Sequence, residues 1–483
     1  MPQLSRSINI RTTIAIVVGG IIGSGVFMKP SLMLSQLGSP WALVSVWVLA
    51  GFITLFGALS NAEIAAMYPE TGGPVVFFQK IYGDAFSFLY GWAAFAVFNT
   101  AGNASIAYVF AEYSNYFFHL PRFSPATERL IELYIPFIGK IYPLANIGVK
   151  LLTIFILALL TWVNYRSVQM GGALQRILTA LKAVAIALLI GGVLTSGKGD
   201  WGHFGETVAT NNSMGWLGAY IAALSGAFWG YDGWNNINFI AGEVKDPQRT
   251  IPRSLLLGLM ACIIIYALVN VAYVYAMPVA QMAGSTFVAA DAATMVWGGI
   301  GGSLITLLVM LSTFGSANAC VFSTARVTYA MGKDNAWFAW MGKAHPRYNT
   351  PGNALVINGI WSALMVFTAS FDMLTDMLVF VSWFFYGMSA LGVFILRFRF
   401  PNKERIYKVP GYPWVPLVFV IFTFFFLCLT LYQDIINYQS GKSPLVNSLF
   451  GLLITCIGIP IFYASRKSGE GKGPQRLEDT KVH

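Results

Sequence analysis

Residues 14–36 read IAIVVGGIIGSGVFMKPSLMLSQ. The stretch is apolar and long enough to cross a bilayer, which takes roughly 20 such residues in a helix. Gly23-Ser24-Gly25 interrupts it near the middle. An unbroken span satisfies all its backbone groups internally, whereas glycines weaken that ladder and permit a break. From Thr12 to Gly23 the helix rises about 16 Å, roughly half the hydrocarbon thickness. N–H and C=O groups freed at that depth must face protein, a water-filled cavity or a ligand. Two readings follow. The glycines serve close helix packing, as small residues do in membranes, or the freed groups hold a small zwitterion. On its own the stretch favours packing.

The 483-residue chain is 56% hydrophobic and 10% charged, with 37 Phe and 14 Trp. Soluble proteins carry about 25% charged residues, so the composition defines an integral membrane protein. The net charge of +10 does not point to nucleic acid, because the basic residues are scattered through short loops and one tail. Cys262, Cys320, Cys428 and Cys456 lie in apolar runs, and His119, His203, His345 and His483 lie outside them. That pattern gives neither a disulfide framework nor a His/Cys metal centre, and no cofactor is expected. The first apolar run lacks a small-residue cleavage site and matches the runs after it, so it reads as a span rather than a leader.

Twelve spans are predicted near 12–36, 40–66, 86–118, 147–165, 173–195, 215–242, 254–278, 289–318, 353–370, 374–397, 411–432 and 445–465, with a polar, unstructured tail after them. With residues 1–11 placed inside, twenty-two Lys and Arg fall on the inner side and seven on the outer, Lys29 among the seven. That asymmetry puts both termini in the cytoplasm. Lys182 is left within span five.

Span six, SMGWLGAYIAALSGAFWGYDGWNNINFIAGE, is also interrupted, at Gly226, Gly230 and Gly233, with Asp232 between. It lies five spans after the first and therefore enters from the opposite side. Two glycine-broken helices at corresponding places in two inverted halves predict a transporter with its site at the midplane. Half-helix N-termini offer N–H groups to a carboxylate, and the facing C-terminal carbonyls suit an ammonium. An amino acid carries both.

GGIIGSGVF in span one, FWGYDGWN followed by GEVKDPQRTIPRSL in span six, and STFGSANACVFSTARVTYAMGKD in span eight resemble the amino acid–polyamine–organocation superfamily. Within it the chain is most similar to the L-type amino-acid transporters, bacterial members included. AEIAAMYPETGG after span two fits the same pattern. The resemblance implies an all-α membrane protein with a five-plus-five inverted repeat of the leucine-transporter type. The first repeat is then 12–195 and the second 215–397, with spans eleven and twelve at 411–465 and a cytoplasmic tail at 466–483. It implies sodium-independent amino-acid transport, commonly by exchange, in the plasma (bacterial inner) membrane. Proton-coupled uptake is the alternative. A channel or receptor is the reading from another class, although no repeated filter motif is present. No catalytic cluster near one face suggests an enzyme.

Site residues carry over one by one. Ser24 and Gly25 would take the substrate carboxylate, with Gly23 enabling the turn. Carbonyls around Ile21 would take the ammonium. Trp229 stands where the family has an aromatic gate, and an ordinary core-facing tryptophan is the other reading. Lys182 would occupy the place of a sodium ion, binding carbonyls near Gly20 and a hydroxyl of span eight, Ser312 being the expected one. Snorkelling is the simpler account of Lys182, but buried ammonium groups in membranes are usually functional. Asp232 would pair with a cationic substrate or cap the second half of span six. Asn103, Asn235 and Asn236 would line the site or bind helices together. Glu243, Lys245, Asp246, Arg249 and Arg253 form an inner loop expected to brace the inward gate. Animal heterodimeric members carry a loop cysteine after span three, and 119–146 has none, so no disulfide-linked heavy chain is expected.

Overall fold

A computed structural model of the chain describes residues 8–69, 73–136, 138–166, 178, 181–210, 215–239, 241–334 and 336–469. Among them, eight helices are long and apolar enough to cross a bilayer, and one bent pair makes a ninth. That pair is span one, Ile10–Ile21 and Gly25–Leu37, bent by 42°. Three predicted spans appear as shorter helices. Span five is described from Leu181 to Gly192, span six runs Gly215–Tyr231, and span nine is Gly352–Thr368. The others are Pro40–Met67, Asp84–Phe118, Ile147–Arg166, Pro247–Ala276, Val288–Asp334, Phe371–Arg399, Trp414–Gln439 and Asn447–Gly469. All twelve are present.

Their starts follow ordinary capping chemistry. Asn9 accepts from the Thr12 N–H at 3.0 Å, and Ser370 from the Met373 N–H at 3.3 Å, each satisfying a donor with no partner in its helix. Pro40 and Pro247 open spans two and seven, where their missing N–H costs nothing. Pro30 lies inside the outer half of span one and cannot bond the Val26 carbonyl. The Tyr273 hydroxyl supplies that bond instead, at 3.2 Å.

Span six packs on the outer half of span one, span two along span seven, span three along span eight, and span four along span nine. Partners lie five apart in chain order, the spacing that relates the two halves of a five-plus-five repeat.

The structure shifts several expected boundaries. Span eight begins with an outer piece that turns at Gly298 (φ 71°) and continues inward to Asp334. Span twelve runs to Gly469, into the predicted tail. The 119–146 loop holds a small hairpin, Leu133–Ile135 against Gly139–Ile141. Lys29, counted among the outer-side charges, is buried at 2% exposure. Span six stays helical through Gly226 and Gly230 and breaks only after Tyr231. Those two glycines are packing positions, Gly226 against Met33 and Lys29 and Gly230 against Trp47.

Candidate functional site

The inner half of span one stops at Ile21 and the outer half starts at Gly25. A helix that ends leaves its last carbonyls without intrahelical donors, and one that starts leaves its first N–H groups free. Three of those carbonyls can be followed. Gly19 accepts from the Lys182 ammonium at 3.1 Å. Ile21 accepts from the Tyr266 hydroxyl at 2.8 Å, and the same hydroxyl lies 2.8 Å from the Gly230 carbonyl in span six. Gly20 lies against the backbone of Gly233, where a Cβ would come within 2.5 Å of its oxygen. On the other side of the break, the helix that starts at Gly25 leaves its first N–H groups without intrahelical acceptors. The Ser24 hydroxyl makes no capping bond although the residue is 2% exposed.

Span six breaks at Asp232–Asn235, with Gly233 at φ 101°, and resumes as the short helix Asn236–Phe239. A positive φ of this size is where glycine is favoured. The two broken helices cross in direct backbone contact, since a Cβ on Gly25 would sit 2.5 Å from the Gly230 Cα. Gly23 differs, because its nearest obstacles are 3.8 Å away or more. Packing and chain-breaking, alternatives from the sequence, are therefore divided among neighbouring glycines. Gly25 and Gly230 serve the crossing, and Gly23 and Gly233 lie in the breaks.

A cavity of about 80 Å³ lies between the breaks, bounded also by spans three and eight. Gly19 through Ile21, Gly23, Ser24, Gly25, Trp229, Asp232 and Asn236 border it. Trp229, 6% exposed, meets Phe371 edge-on at 5.1 Å. Beyond them the Lys29 ammonium bonds Asp372 at 2.7 Å and Thr375 at 3.0 Å, 4.7 Å from the Phe371 ring centre. This aromatic and ionic layer covers the cavity on the side of the outer half of span one.

Asp232 accepts from the Tyr386 hydroxyl of span ten at 2.8 Å. The Asn236 N–H, which a capping Asp232 would have served, bonds the Gly233 carbonyl instead at 3.2 Å. Asn103 is one layer back, donating to Thr324, whose residue borders the cavity, at 3.1 Å. Asn235 joins a buried network in which the Asn238 amide donates to Asn235 (2.5 Å) and to Asn61 (2.9 Å), and Asn61 donates to Ser389 (2.7 Å). That is the helix-binding role.

Lys182 is 3% exposed and reaches span one, so it does not snorkel. Its second partner is Ser316, at 2.8 Å, rather than the expected Ser312. Ser312 is one turn away, and its hydroxyl is buried without a partner, while its carbonyl accepts from Ser316 at 3.1 Å. The two serines share a helix face, so periodicity gave the face but not the depth.

Other cavity residues escaped the sequence reading. Asn99 borders the cavity with its Nδ2 buried and unpartnered. It follows a π-helical turn, Ala94–Phe98, of the kind often found at functional sites. The Thr100 hydroxyl bonds the Phe95 carbonyl at 2.8 Å, and the Trp361 indole bonds the Ala96 carbonyl at 2.9 Å. Nothing in the apolar run AAFAVF announces the wide turn. Tyr266 and Tyr386 were equally illegible, being tyrosines in spans rich in aromatics.

Two broken helices crossing in backbone contact beside a cavity, within a bundle of membrane-length helices, are the arrangement of a multi-pass transporter. A family model described as amino acid permease matches residues 8–459, and the chain belongs to that family. It is similar to the serine/threonine exchanger SteT of Bacillus subtilis (strain 168), 30% identical over 468 residues that cover 96% of this chain and 98% of that protein. It is also 30% identical to the human large neutral amino acids transporter small subunit 2, over 95% of this chain and 80% of that one. With the human cystine/glutamate transporter it shares 28% identity over 95% and 85% of the two chains. As a member of this family it is a membrane transporter and not an enzyme.

Proposed function

We propose that the chain exchanges small neutral amino acids by alternating access, without sodium. The observation that carries this reading is the set of groups facing one cavity. The Gly25 N–H and the uncommitted Ser24 hydroxyl suit a carboxylate. The Gly20 carbonyl and the remaining lone pair of Ile21 suit an ammonium. Trp229 closes the site outward, Gly23 keeps the turn open, and Asn103 holds Thr324 in place. Asp232, engaged by Tyr386, shapes the wall rather than binding a cationic side chain. Lys182, tied to Gly19 and Ser316, places an amine beside span one where a sodium ion would otherwise sit. Ser312 stands behind Ser316.

A volume of about 80 Å³ holds several waters at the roughly 10–15 Å³ each requires. That favours serine- or threonine-sized substrates over aromatic ones, in line with the bacterial relative. The two repeats are 12–195 and 215–397, supported by the pairing of spans five apart. The Lys/Arg asymmetry and the bacterial relative support a cell-membrane location with both termini cytoplasmic. The cysteine-free 119–146 loop supports a stand-alone protein.

Vesicles loaded with unlabelled serine are expected to take up labelled serine faster than empty ones, with no effect of sodium. Equal uptake by empty vesicles under an imposed pH gradient would make the protein a proton-coupled permease. Absence of saturable flux would make it a channel or receptor. Ser24→Leu should abolish substrate binding in protein that still inserts, and unchanged uptake would overturn the site assignment.

A further inference from the structure

A second cavity, of about 280 Å³, opens on the face of the bundle where span one begins. The backbone fixes that face, since Ile8 pairs with Glu243 and Lys245 just before span seven begins. One wall is the first turns of span seven, with Gln248, Arg249 and Arg253 above Leu256. The opposite wall is Ile406 and Tyr407 in the loop between spans ten and eleven. That loop is pinned. The buried Glu63 carboxylate takes Arg397 at 2.7 Å, Arg405 at 3.4 Å and the Val409 N–H at 2.8 Å. The cavity is therefore built, not a gap beside a loose segment.

Its lining is polar at one end and apolar at the other. Arg249 lies 3.9 Å from Asp246, and both side chains are more than half exposed. Arg253 has no acidic partner among the described residues. The Tyr407 hydroxyl is buried with no hydrogen-bond partner. Span seven is a 30-residue helix whose start adds the positive end of its dipole, although the Arg249 and Thr250 N–H groups bond the Asp246 carbonyl. Below them Leu256 and Ile406 are 40% and 52% exposed, at the edge of the apolar belt. Positive-inside anchoring accounts for arginines in this loop. It does not account for two guanidiniums, one weakly paired and one without an acidic partner among the described residues, a bare phenol and a helix start converging on one cavity with an apolar floor.

We propose that this cavity binds the phosphate of an anionic phospholipid, its acyl chain lying along Leu256 and Ile406. Basic pockets between helices on the cytoplasmic side are the usual places for such headgroups, so the proposal rests on the orientation given above. A bound lipid would bridge span seven and the loop after span ten.

The experiment is native mass spectrometry of delipidated protein titrated with phosphatidylglycerol or phosphatidylcholine, alongside melting curves with inorganic phosphate. These readouts involve neither flux nor sidedness, so their failure is separable from failure of the transport reading. The wild type should prefer phosphatidylglycerol by about tenfold, two surface arginines each contributing a several-fold factor. Arg249→Gln with Arg253→Gln should reduce the preference to parity without lowering the melting temperature in phosphatidylcholine. Arg249→Lys with Arg253→Lys should keep most of it, and Tyr407→Phe should weaken it a few-fold. No preference in the wild type, or a preference that survives the double glutamine change, would overturn the proposal. So would stabilisation by millimolar inorganic phosphate with no lipid preference, since the ligand would then be a free phosphate.

Discussion

In span one the chain leaves the helix for Ile22, Gly23 and Ser24, and in span six for Asp232 through Asn235. The first break is held only from behind. Lys182 and Tyr266 take its carbonyls, while its N–H groups and its serine hydroxyl face the cavity. The second is clamped from both sides. Tyr386 takes Asp232, and Asn238, Asn235 and Asn61 tie the segment after it to spans two and ten. Both face the same cavity, but the first turns a helix start and a serine hydroxyl towards it and the second a carboxylate already held by Tyr386. Buried polar groups without partners are costly, and on the proposed function the open break is the one a ligand completes. The clamped break sets the shape against which it does so.

The largest effect should come from removing what holds the open break. Lys182→Ala strips a charged donor from Gly19 and Ser316, and each buried group left unmet costs about 1–3 kcal/mol. Exchange is expected to fall by about ten- to a hundredfold, measured at several pH values between about 6 and 8. Normal rates over that range would mean that the break holds itself and that Lys182 is structural decoration.

Next come the glycines. Gly25→Ala forces a Cβ to 2.5 Å from the Gly230 backbone, where nothing flexible can yield. Overpacking of that kind costs about 1–3 kcal/mol, and substrate binding should be lost with it. Gly23→Ala meets no atom closer than 3.8 Å and has no positive φ to defend. It should fold normally and discriminate against larger substrates by narrowing the cavity. Binding by purified protein, measured for both variants with serine and threonine, separates the two. Equal damage would show that the crossing is looser than its backbone contacts imply.

The difference between the glycines marks what the sequence could carry. Hydropathy, length and Lys/Arg placement were enough for twelve spans, because the bilayer imposes one dimension on every helix. The break in span one was legible to within a residue, since Gly23-Ser24-Gly25 overlaps the observed Ile22, Gly23 and Ser24. The break in span six was not. Gly226 and Gly230 weaken a helix, but Trp47, Met33 and Lys29 pack against them and the helix persists. Only at Gly233 does φ turn positive. The partner of Lys182 was misplaced by one turn for a related reason. Ser312 and Ser316 lie on one face, and the depth at which an ammonium arrives depends on how span five sits against span eight. Asn99 depends on a π-turn, and a wide turn has no signature in AAFAVF. What stayed hidden in each case was a relation between elements.

The clamp itself can be tested without touching the cavity. Asn238→Ala leaves Asn61 and Asn235 short of a buried donor. It should lower stability by about 1–3 kcal/mol, read as an earlier melting transition, while serine affinity in the folded protein changes little. A large loss of affinity at unchanged stability would mean that the second break contributes directly to binding.

The smallest effect is expected at Asp232, and it is the sharpest test of the contrast. Asp232→Asn keeps an oxygen for the Tyr386 hydroxyl, so the 2.8 Å bond can persist and the wall keeps its shape. If the substrate is gripped through its main chain at the first break, removing this charge should alter serine exchange by less than about threefold, the loss of a single weak interaction. Arginine and lysine, tested as competitors, should inhibit neither form. If the wild type instead accepts them and the asparagine form does not, the carboxylate is a side-chain partner. The second break would then be the one that chooses the substrate, and the division between an open, binding break and a clamped, shaping one would fall.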